Sequence, residues 1–78
     1  MALTREYGVS VRNDVIYDHV RRVERLEKEA LRDAANADET AALVGNAAFR
    51  EQLTNDASDQ RASACVYREI IVALEALA

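Results

Sequence analysis

The sequence predicts a small all-α fold: a three-helix bundle, built as a long helical hairpin plus a third helix and completed by oligomerisation. Three observations carry this reading. Proline is absent and Gly8 and Gly45 are the only glycines, so strong helix breakers are almost missing. Apolar residues make up 50% of the chain, with Ala, Leu, Glu and Arg frequent, which is helix-forming composition. The apolar residues also recur at helical spacing between two polar stretches that read as connections.

A length of 78 residues allows one domain, spanning 1–78. A chain this short hides only about 60–65% of the surface its unfolded form exposes, so its interior is marginal. Domains below ~80 residues usually recruit a disulfide, a metal or a partner chain. Cys65 is the only cysteine and His19 the only histidine. That excludes an internal disulfide and falls short of the Cys/His set of a structural zinc site. Association with another chain is the support that remains.

Residues 1–10 read as an N-terminal arm, where Tyr7 and Val9, followed by Val11, alternate with Gly8 and Ser10. Ser10 or Asn13 then suits a helix cap, because either side-chain oxygen accepts an orphan backbone N–H. The first helix is expected from Val11 to Ala35. Ile16, Val20, Val23, Ala30, Leu31 and Ala34 share one stripe, with Leu26 on its border. Asp18, Arg21, Arg22, Arg25, Lys28, Glu29 and Arg32 hold the other face. The segment Asn36-Ala37-Asp38-Glu39 reads as a break. A second helix then runs to about Leu53, preferably uninterrupted, with Gly45 at a close crossing; the alternative has Gly45 ending one half and Asn46 capping the next.

Thr54 to Asp59 reads as a second break, and a third helix follows from Asp59 to Leu77. That helix carries two apolar seams. One is Ala62, Val66, Ile70, Ala73 and Leu77; the other is Tyr67, Ile71, Leu74 and Ala78 with Ala64. If one seam meets the first two helices, the other needs a partner. The second is assigned to that interface: Tyr67, Ile71, Leu74 and Ala78, in a homodimer.

Chemistry is sparse. His19 and Cys65 lie on different predicted helices with no activating neighbour in sequence, and no phosphate loop or HExxH motif is present. No catalytic, metal-binding or cofactor-binding residue is expected. Glu27 stands out because it falls inside the apolar stripe, where an unpaired carboxylate is costly. An arginine from another helix, Arg61 or Arg68, is the expected counter-charge.

A formal net charge of −4 weakens any grip on phosphate backbones, so no nucleic acid is expected as partner. The longest apolar run, Ile70 to Leu74, is far short of the ~20 residues that span a bilayer. No signal peptide is visible, and the lone thiol suits a reducing cytoplasm. The arginine- and alanine-rich usage is associated with a GC-rich genome, and a bacterial or phage source is expected. The function these features predict is a non-enzymatic protein–protein interaction module, a small accessory, inhibitor or assembly protein. The alternative is a helix-turn-helix DNA-binding regulator, which rests on the Ala-x-x-x-Gly spacing of Ala41 and Gly45.

Overall fold

A computed structural model describes residues 12–78. They form two helices, α1 (Asn13–Leu43) and α2 (Ala47–Glu75), joined by Val44-Gly45-Asn46 and packed along their length. Ile16 and Val20, early in α1, pack with Ile71, late in α2, so the helices run antiparallel. The molecule extends 57 × 19 × 15 Å: two helices wide and one helix thick. Its radius of gyration is 17.5 Å, against about 11–12 Å for a compact domain of this length. The expected third helix is not present among the described residues; the hairpin is. The expected arm and Ser10 lie outside those residues.

The pairing follows a seven-residue repeat. In α1 the seam is Ile16, Val20, Val23, Glu27, Ala30, Ala34, Ala37 and Ala41, continued by Val44. In α2 it is Leu53, Ala57, Gln60, Ala64, Tyr67, Ile71 and Leu74. Each of these positions is buried or half-buried, and the steps alternate between three and four residues throughout. That is the signature of a left-handed, antiparallel two-stranded coiled coil.

The repeat explains why both expected breaks are helical. Asn36 to Glu39 continues α1 through Ala37 and Ala41, and Thr54 to Asp59 continues α2 through Ala57. Such polar residues suit caps only when a helix ends nearby. Here they serve the helix: the Thr40 hydroxyl donates to the Asn36 carbonyl at 2.9 Å, and the Thr54 hydroxyl to the Arg50 carbonyl at 2.9 Å.

The true break is at Gly45, which corrects the preference for an uninterrupted second helix. Asn46 caps α2, its side-chain oxygen accepting from the Phe49 N–H at 3.0 Å. Arg50 donates from Nε and Nη2 to the Val44 carbonyl at 3.2 and 2.7 Å, satisfying the C-cap carbonyl of α1. Gly45 itself does not adopt the left-handed backbone, and a Cβ there would meet nothing within 4 Å. It is neither a close-crossing residue nor a left-handed cap. At the other end, Arg12 precedes α1 and makes no side-chain cap; Asn13 is already inside the helix, against expectation.

The seam is unevenly filled. Its buried apolar residues are Ile16, Val20, Ala30, Ala34, Ala41, Ala57, Ala64 and Ile71. Only Ile16, Val20 and Ile71 are large, and they cluster at the open end with Val23, Leu74 and Leu77 packed against them. From Ala30 toward the turn the buried members are all alanine, which permits close helix approach but contributes little buried area each.

Candidate interaction face

Seam geometry divides the remaining surface. In an antiparallel pair, residues that follow one set of seam positions flank the seam on one side, and residues that precede the other set flank it on the opposite side. The first side holds Glu24 and Asp38 of α1 with Arg61 and Arg68 of α2. It carries the ion pairs between the helices, beside exposed Tyr17, Leu31 and Val72. Arg61 pairs with Asp38, and Arg68 donates from Nε and Nη2 to the two Glu27 oxygens at 2.8 and 2.5 Å.

Glu27 occupies a seam position with its side chain only 14% exposed, whereas Arg68 is 54% exposed. The two-pronged contact satisfies a carboxylate that would otherwise be desolvated, and Arg68 was one of the two bases the sequence offered for it. The Arg68 hydrogen bonds hold the Glu27 carboxyl below its ordinary value of 4.5, outweighing the opposing effect of burial; the Arg68 and Lys28 charges add to the lowering. A depressed carboxyl contributes stability that is fully present above its unfolded value and is lost as pH falls through its folded one. The melting-temperature difference between wild type and Glu27→Gln is therefore expected to shrink from about pH 6 to about pH 3. A difference that stays constant across that range, followed by circular dichroism, would show that the pair contributes nothing.

The second side is open. It carries Leu26 of α1, 43% exposed, with Val66 and Ile70 of α2, 53% and 41% exposed. Exposed Ala62 and Ala73 extend the α2 stripe, and a shallow groove lined by Ala62, Ser63, Val66 and Tyr67 runs beside it. Toward the turn this side becomes acidic, with Glu29, Asp33, Asp56 and Asp59, none of which enters an ion pair among the described residues.

Of the two α2 seams, the one expected to meet a partner chain packs against α1 instead. Ile71, assigned to an intermolecular contact, is 1% exposed and belongs to the intrachain core. Tyr67 and Leu74 are half-buried in the same seam, and Ala78 is exposed past the end of α2. The stripe left in water is Ala62, Val66, Ile70 and Ala73. Sequence periodicity displayed both seams; only the register against α1 distinguishes them.

The remaining candidates are scattered. His19 is exposed on α1 and Cys65 is exposed on α2. Among the described residues no group of three or more His, Cys, Asp or Glu side chains is placed to hold a metal, and no helix is long and apolar enough to cross a membrane. The Ala41–Gly45 segment ends α1 and turns into an antiparallel helix, whereas a helix-turn-helix joins its helices at about 90–120°. The basic line Arg21, Arg25, Lys28 and Arg32 runs along the outer face of α1, where Asp18 pairs with Arg21 and Glu24 shares a groove with Arg21, Arg25 and Lys28. No protein-family model, curated protein or solved structure matches the chain.

Proposed function

We propose that this chain is a non-enzymatic protein-interaction module, a small accessory or assembly subunit of the cytoplasm that works through the open side of its hairpin. The observation that carries the reading is the contiguous exposure of Val66 and Ile70 on α2, flanked by Ala62 and Ala73. Leu26 lies on the same side of α1. Scattered surface hydrophobes need no explanation, but a stripe along one face of a thin hairpin does. Removing each large side chain from water is worth ~1.5–3 kcal/mol.

A photo-cross-linking residue at position 66 tests this in the host cell, with the same residue at position 25 as control. Protein adducts at 66 well above those at 25 are expected. Equal yields at the two positions would refute a docking face. A nucleic-acid role is not favoured, since acids interleave the basic line on α1 and leave few uncompensated phosphate contacts.

A further inference from the structure

We infer that a step in the phase of the seven-residue repeat, and not the residues of the connection, commits each chain to an intrachain hairpin. The rival state is an exchanged dimer: two chains, each one long helix, lie antiparallel so that α1 of one meets α2 of the other. The packing of Ile16 and Val20 with Ile71 would be remade there between copies. Nothing local bars that state. The chain has no proline. Gly45 does not use the left-handed backbone, and a Cβ on it would meet nothing within 4 Å. Val44 and Asn46 have φ of −87° and −78°, already within the helical range, so rotation about ψ alone takes them into a helix.

The repeat bars it. Carried past Ala41 and Val44 in steps of four and three, the α1 repeat runs through Glu51, Asn55, Ser58, Cys65 and Glu69, all exposed on α2. The α2 seam lies two residues later at each step: Leu53 for Glu51, Ala57 for Asn55, Gln60 for Ser58. Two residues are about 200° around a helix, so one continuous helix would turn its two seams to opposite faces. In the exchanged dimer one α1–α2 pairing would form. The second would point into water, taking Ile16, Val20 and Ile71 with it. A hairpin has no such conflict, because its connection lets each helix take its own rotation and both seams meet within one copy.

The test alters phase and connection separately in the whole chain. Gly45→Ala favours a helical connection by about 1 kcal/mol and leaves the phase step in place. Inserting five helix-forming residues after position 45 of that variant raises the step from two residues to one full repeat of seven. Inserting three of the same residues raises it only to five, which stays out of phase. A fluorescent donor and acceptor on Arg25→Cys and the native Cys65 report the outcome, with labelled chain diluted into a roughly tenfold excess of unlabelled chain. Both sites are exposed and lie at one level of a hairpin 19 Å wide, so transfer within a chain is high. Wild type, Gly45→Ala and the three-residue insertion are expected to keep it. The five-residue insertion should lose at least ~4-fold of its transfer, because 45 residues of continuous helix set the labels about 68 Å apart. High transfer in the five-residue insertion would overturn the inference, as would lost transfer in Gly45→Ala or in the three-residue insertion. Loss of helicity by circular dichroism in either insertion would overturn it too, since every seam residue is retained in both.

Discussion

Ile71→Ala is expected to cost about 2–5 kcal/mol of folding stability, the range for emptying a buried aliphatic site. For a chain of 78 residues the whole stability is about 4–12 kcal/mol, so this one change removes a large share of it. The reason is how few large side chains the seam contains. Ile71 is 1% exposed and Ile16 2% exposed, and with Val20 they are the only buried residues larger than alanine among the described residues. Their apolar neighbours Val23, Leu74 and Leu77 are only half-buried. The adjacent Ile70 is 41% exposed, and Ile70→Ala should stay within about 0.5 kcal/mol of wild type. Urea unfolding of the two variants measures both. Equal losses at 70 and 71 would show that the seam register is wrong.

Ala57→Leu is expected to destabilise by about 1–3 kcal/mol through overpacking. Ala57 is fully buried in the stretch where the buried residues are all alanine, so added methylenes must push the helices apart or leave their preferred rotamers. Ala62→Leu, the same exchange on the exposed stripe, should be nearly neutral for folding. Thermal melts of the two variants separate them. An unchanged melting temperature for Ala57→Leu would mean the helices are not closely apposed there.

How much of this was legible follows from the physics of each signal. Helical class was plain, because the absence of proline and the scarcity of glycine leave little else to form. The Glu27–Arg68 pair was legible because a carboxylate inside an apolar stripe demands a base, and only a few were available. The number of helices was not. Asn, Asp, Ser and Thr cap ends and also decorate helix surfaces, so Asn36–Glu39 and Thr54–Asp59 looked like ends. The signal that resolves them is the unbroken three-and-four spacing through Ala30, Ala34, Ala37 and Ala41, and through Ala57, Gln60 and Ala64. Alanine is too weakly apolar to draw that line by itself, and Glu27 and Gln60 interrupt it. The open face was half legible: both α2 seams were visible, but choosing between them needs the pairing with α1.

The placement of the large side chains far from the connection bears on cooperativity. A hairpin closes most cheaply next to its turn, where the loop to be ordered is shortest. In this chain that region is held by alanines, whose contacts are weak. The contacts strong enough to hold the fold, Ile16 and Val20 with Ile71, enclose nearly the whole described sequence. Neither half is then stable alone: the turn lacks strength and the open end lacks proximity. The two must form together, so amide hydrogens on either side of Ala30 are expected to exchange through one common opening, with no gradual fraying from the ends.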